Sequence, residues 1–214
     1  RDHTNPIITM RFAFRGGAGL DPADRTGLAN MAAALLDEGA GDLGSTAFQK
    51  KLEDLVITLR FSAGRDSFSG RLVTLVENRD TAFNLLSLAL NKPRFDVEPV
   101  ERIRSQILAG IRQDTENPGA IAGKTLFKTL FPSHPYGLPT AGFKDDVGAI
   151  TRADLKSFTT ERLAKDNLII GVVGDIKAET LAALFDSTFG RLPEKAKPWA
   201  LPEAEPEGAG RTIV

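Results

Sequence analysis

Few residues of this chain could act at a metal or a scissile bond, and their spacing excludes several mechanisms. There are two histidines, His3 and His134, and no cysteine. The histidines lie too far apart for an HExxH or HxxEH helix, in which two imidazoles one turn apart hold a zinc ion. Without cysteine there is no thiolate nucleophile, no thiolate metal site and no disulfide. The other candidates gather in residues 27–39, GLANMAAALLDEG. Asp37 and Glu38 could found a replacement metal site, but carboxylates in a last helical turn read more simply as solvated surface groups. His134 and Tyr136 sit in FPSHPYGLPTAG, residues 131–142. Acid–base work is conceivable for the histidine, but Pro135 and Gly137 favour a loop that only fixes its own path. Arg102, Arg104 and Arg112 read as a solvated helix face, with a basic wall for acidic peptides as the alternative.

Composition narrows the classes further. Lys and Arg number 27 against 28 Asp and Glu, a net charge of −1. That leaves no basic footprint for nucleic acid and no polybasic membrane patch. No apolar run approaches the ~20 residues of a membrane helix. The 214 residues suffice for one large domain or two small ones. The start at Arg1-Asp2-His3, without Met, suggests that an upstream piece has been removed: a few residues, a targeting segment or a first strand. The compartment stays open between bacterial cytoplasm and periplasm.

The elements that must position these residues follow from periodicity. Residues 7–14 alternate, with Ile8, Met10, Phe12 and Phe14 on one face, as a half-buried strand does. After a glycine break, Leu28, Met31, Ala32, Leu35 and Leu36 form a helical stripe. Thr26 is its expected N-cap and Gly39 its expected C-cap. Ser45 leads into a helix over 46–54. Residues 57–62 and 67–75 predict a hairpin, with Gly70 marking a bulge or a close backbone approach. Helices are expected over 77–91, from Pro99 to about 116, over 120–131, from the Thr151/Asp154 capping box to 163, and over 177–189. Residues 168–173, LIIGVV, predict a strand buried on both faces or nearly so. Residues 193–210 are a linker by composition, and 211–214 could start another strand. Hairpins mixed with helices imply an α+β fold with a largely antiparallel sheet.

Several phrases, in this order and spacing, resemble one module of the pitrilysin/insulinase family of zinc peptidases. They are GGAGLDP, GLANMAAALLDEGA, ERIRSQILAGIRQDTENP, HPYGLPTAG, ITRADLKSF and DNLIIGVVGD, spread over nearly all of residues 5–190. The resemblance extends to the mitochondrial processing peptidase subunits and the core proteins of the cytochrome bc1 complex. It implies a metalloprotease-like module over 1–192, with 193–214 leading to a second module. In active members the first helix carries two histidines that bind zinc and a glutamate that activates the metal-bound water. A third ligand comes from a later helix. In this sequence the first histidine position is Asn30, the glutamate position Ala33, the second histidine position Ala34, and the third ligand falls near Gly110. All four would be vacated. Gly110 costs a helix interior about 1 kcal/mol relative to alanine. It could be a lost ligand, or a site of close packing against Ala33 or Ala34.

The resemblance therefore implies a chain with no catalytic residues and no metal of its own. It would be a non-catalytic subunit of a heteromeric zinc peptidase, helping to bind peptide in a chamber shared with a catalytic subunit. That partner would hold the intact HxxEH motif and the zinc. The alternative is a purely structural assembly subunit, like the bc1 core proteins. An Arg/Tyr pair of the second module would fall beyond this chain. Tyr136, the only tyrosine, does not belong to that motif. The resemblance aligns the strand at 57–62 with the edge strand that pairs with substrate in active relatives, with an ordinary hairpin strand as the alternative.

Overall fold

The computed structural model describes residues 5–207. The strand read at 7–14 is β1, Ile7–Arg15, and it lies inside a four-stranded sheet. The other strands are β4 (Thr58–Ala63), β5 (Ser67–Leu75) and β6 (Leu168–Gly174), in the order β4-β5-β1-β6, every pair antiparallel. Two short strands, β2 (Gly39–Ala40) and β3 (Leu43–Gly44), form a separate turn.

Alternation makes one face of the sheet apolar, and helices cover that face. Ile8, Met10, Phe12 and Phe14 of β1, Leu59 of β4, and Phe68 and Leu72 of β5 are all buried. Against them pack α1 (Leu28–Leu35) and α3 (Arg79–Asn91), with Met31, Leu35, Phe83 and Leu86 in the same core. Each such side chain contributes about 1.5–3 kcal/mol on burial. The layer is completed by α2 (Ser45–Asp54), α4 (Val97–Asp114), α5 (Pro118–Leu130), α6 (Lys144–Ala149), α7 (Arg152–Arg162) and α8 (Ala178–Phe189). The result is the expected α+β fold.

Gly70 explains itself in the register. It stands opposite Phe12, whose ring lies over the bare glycine, so any Cβ there would enter the ring. Phe12 also meets Phe14, Phe61 and Phe189 edge-on, with centroids 6.0, 6.1 and 5.8 Å away. The close approach, not a bulge, accounts for the glycine.

Several local expectations need correction. Thr26 does not cap α1; its hydroxyl donates to Asp146 (2.6 Å) and accepts the Phe143 N–H (2.9 Å). Gly27 is the capping residue, in a left-handed conformation. The free N–H groups are met from a distance: Asp21 accepts from Gly27 (3.0 Å) and Ala29 (3.1 Å). Helix α1 ends at Leu35, and Gly39 at φ +113° belongs to β2. Helix α2 begins at Ser45 itself, after Gly44. Helix α4 begins at Val97, two residues before Pro99. The Thr151/Asp154 capping box is present as read.

The largest correction concerns β6. Among the described residues it is an edge strand, and Ile169, Gly171 and Val173 are exposed on the face away from the helices. Its apolar run reflects an uncovered sheet face, not burial on both sides. The linker reading of 193–210 is also incomplete. From Lys165–Pro193 (N–H to carbonyl, 2.9 Å) to Glu207–Leu130 (2.7 Å), the segment is strapped onto the module. Trp199 lies beside Gly16, and Leu201 lies near Gly19. The strand start at 211–214 and His3 lie outside the described residues.

Candidate functional site

Asn30 and Ala34 are the half-buried positions on α1, with Glu38 half-buried just beyond its end, while Ala33 is buried. Next to α1 is a cavity of about 380 Å³. Ala33 and Ala34 line it, with Arg60 and Phe61 of β4 and Ile103 and Gln106 of α4. Neither Asn30 nor Gly110 is in that lining. Gly110 is exposed, and a Cβ there would meet nothing within 4 Å. The close-packing explanation of Gly110 is therefore wrong.

Charge fills the rest of the cavity. Asp37 pairs with Arg60 at 3.0 Å, and Glu38 pairs with Arg102 at 2.6 Å. Arg102 also reaches Glu98 at 3.4 Å. Ser45 donates its hydroxyl to Glu38, and Gln49 donates to the Asp37 carbonyl at 2.8 Å. Burial pushes the Asp37 carboxyl up, and Arg60 opposes this only in part. The reason is exposure: the Arg60 side chain is 67% exposed, so water screens its charge. The hydrogen bond to Glu38 holds the Arg102 guanidinium more firmly protonated.

This donor set does not fit a zinc ion. Zinc wants nitrogen, sulfur or carboxylate donors in tetrahedral array. Ala33 and Ala34 have none, and both nearby carboxylates are engaged by arginines. Among the described residues no group of three or more His, Asp and Glu could hold a metal. The sequence reading of Asp37 and Glu38 as solvated groups is corrected as well: Asp37 is 8% exposed. They are structural anions that tie α1 to β4 and α4.

The arginine face of α4 is likewise not simply solvated. Arg104 turns into the fold and donates to the carbonyls of Val147, Gly148 and Ile150, where α6 ends. A helix C-terminus leaves such carbonyls unpaired, and a guanidinium can serve several at once. Only Arg112 is exposed as read.

His134 and Tyr136 are structural. His134 Nδ1 accepts the Tyr136 N–H at 3.1 Å, which leaves Nε2 to donate to the Pro202 carbonyl at 3.0 Å. The Tyr136 hydroxyl donates to Asp66, and that bond pushes the phenol up. Sequence reasoning missed Arg60, Ser45, Gln49 and Gln106, because their roles depend on which strand and helix face α1. The one available signal was Arg60 itself, a charge on the outward phase of a strand. Among the described residues, strand β4 ends the sheet, pairs only with β5, and lies beside the cavity.

Comparison with known proteins shows what the fold is similar to. Residues 149–214 match the family described as the Peptidase M16 inactive domain. The peptidase M16 inactive domain from Pseudomonas fluorescens superposes with a TM-score of 0.89 at 27% identity, over 95% of this chain and 50% of that one. The chain is thus similar to M16 peptidase-family modules, in sequence over residues 149–214 and in fold over nearly its whole length. The non-peptidase homologue YmxG of Helicobacter pylori is 28% identical over 90% of this chain and 45% of its own length. The mitochondrial-processing peptidase subunit beta of Saccharomyces cerevisiae is 22% identical over 90% of this chain and 41% of its own. The chain thus spans about half the length of the relatives it matches, and the pitrilysin/insulinase resemblance of its phrases holds.

Proposed function

We propose that this chain is a non-catalytic module of a heteromeric pitrilysin-type zinc peptidase, binding peptide in a chamber shared with an active subunit. The observation that carries the reading is the α1 cavity. Where the resemblance implies two histidines and a glutamate, the chain has Asn30, Ala33 and Ala34, and the third ligand position would fall near Gly110. The cavity that Ala33 and Ala34 line is also lined by the Asp37–Arg60 and Glu38–Arg102 pairs. No water can be activated by such a set, because nothing there lowers its pKa. The catalytic zinc would belong to a partner that holds an intact HxxEH motif. The match to a domain described as inactive and the likeness to a non-peptidase homologue support the negative half of this reading.

The free edge of β4 supports the positive half. An extended peptide can add to such an edge through main-chain hydrogen bonds. Residues 193–214 would lead on to a second module, and the uncovered face of β6 is where the first module has apolar surface left to bury.

The test mixes the purified chain with a candidate HxxEH-bearing partner and an unstructured peptide. Cleavage only in the mixture, with no stoichiometric zinc in the isolated chain, is the expected result. Stable assembly with no cleavage in any combination would favour the alternative, a purely structural subunit like the bc1 core proteins. Cleavage by the isolated chain would overturn both.

A further inference from the structure

A second and larger concavity, about 620 Å³, lies where α2, the β2–β3 turn, the end of α3 and the start of α7 meet. Five cations line it: Lys51, Lys92, Arg94, Arg152 and Lys156. Only two carboxylates, Asp42 and Asp96, answer them. Nothing in the peptidase reading uses this groove.

The two arginines are already committed. Arg94 pairs with Asp96 at 2.6 Å and donates to the Gly41 carbonyl at 3.2 Å. Arg152 donates to the Arg94 carbonyl at 2.8 Å. These bonds tie α7 and the β2–β3 turn to the segment after α3 and fix the floor of the groove. The three lysines are different. Lys51, Lys92 and Lys156 make no ion pair among the described residues, whereas Lys50, Lys124, Lys165 and Lys197 each hold a carboxylate. The whole chain has a net charge of −1, so composition does not explain a local positive surplus. A smaller cavity of about 150 Å³ continues past Asn84 and Lys92 to Arg191 and Asp80.

We propose that this groove binds a compact anion carrying several phosphate charges. The free cations are lysines from three separate elements around one volume. Each ammonium binds phosphate as a compact point charge on a flexible stem, so three of them can gather on one multiply charged anion without the fixed bidentate geometry of an arginine fork. A groove rather than a long stripe favours a compact anion over an extended acidic peptide. The attraction is between partly exposed charges, so it weakens as salt rises.

The test is calorimetric titration of the chain with inorganic tripolyphosphate, with ATP and with a hexaglutamate peptide, at about 50 and about 300 mM salt. Tripolyphosphate is expected to bind saturably at one site, more weakly at the higher salt. The triple variant Lys51→Gln, Lys92→Gln, Lys156→Gln should bind at least about tenfold more weakly. The control triple Lys50→Gln, Lys128→Gln, Lys195→Gln removes the same charge elsewhere and should bind as the parent does. All six lysines are exposed, and equal melting temperatures will show that both triples fold. ATP binding tighter than tripolyphosphate would assign the anion as a nucleotide, and the reverse order as inorganic polyphosphate; either supports the site. Absence of saturable binding, equal loss in both triples, or hexaglutamate binding tightest would overturn it.

Discussion

Asp21 holds the N-terminus of α1 in place of an adjacent cap, and this carboxyl carries a pH signature. Burial raises it from 3.8 to about 7, against the Gly27 and Ala29 N–H groups and the Arg162 charge, which pull the other way. The folded state therefore binds this proton more tightly than the unfolded chain does. The stabilisation is complete below the unfolded value of 3.8 and is lost as the pH rises through about 7. The slope in that window is at most about 1.4 kcal/mol per pH unit. Urea denaturation at several pH values between about 4 and about 8 should show stability falling with pH in the parent. In Asp21→Asn that part of the slope should disappear; an unchanged slope would remove Asp21 from the account. Sequence reading reached Asp21 only as a residue that opens a segment. Its partners lie six and eight positions on, and the intervening turn cannot be read from residue types. The same limit hid the Arg60 and Arg102 pairs, whose partners are 23 and 64 positions away.

At the scale of elements, two glycines inside regular structure make opposite predictions. Gly70 in β5 sits under the Phe12 ring, and Gly110 in α4 faces open space. Gly70→Ala should cost about 1–3 kcal/mol, because Phe12 is wedged among three other rings and cannot yield freely. Gly110→Ala should instead gain about 0.8–1 kcal/mol, the propensity difference in an exposed helix. Chemical denaturation of the two variants checks both, and a destabilised Gly110→Ala would restore the packing explanation that the structure removes. Element types were legible because strands and helices here follow their periods: β1, β5 and α3 stand within a residue or two of expectation. Helix α6 and the caps of α1 were not legible, since Arg104, Asp21 and Thr26 act on them across the fold. The reading of β6 failed for a definite reason. A run such as LIIGVV is apolar on both faces whether both are covered or one is left open, and only the neighbours distinguish the two.

For the whole molecule, that open face is the main apolar liability. Ile169 is 59% exposed and Val173 76%, both on β6, whose outer edge pairs with no other strand among the described residues. Such surface invites edge pairing and association. The isolated chain is expected to self-associate as concentration rises, and Ile169→Lys with Val173→Lys should suppress this in sedimentation velocity. Its folding stability should change by no more than about 0.5 kcal/mol, as for other surface substitutions. Association that persists in the double variant would place the sticky surface elsewhere. The strap over residues 193–207 has a mechanical consequence. Its outer hold is the Glu207–Leu130 bond, followed inward by the His134 bond to Pro202, the Trp199 contact at Gly16 and the Lys197–Glu161 bond. Leu192, just before it, is buried in the core. A pull applied beyond residue 207 would therefore peel these attachments one at a time before it loaded the sheet. The strap would act as a fuse: it releases length under tension and lets the domain behind it stay folded.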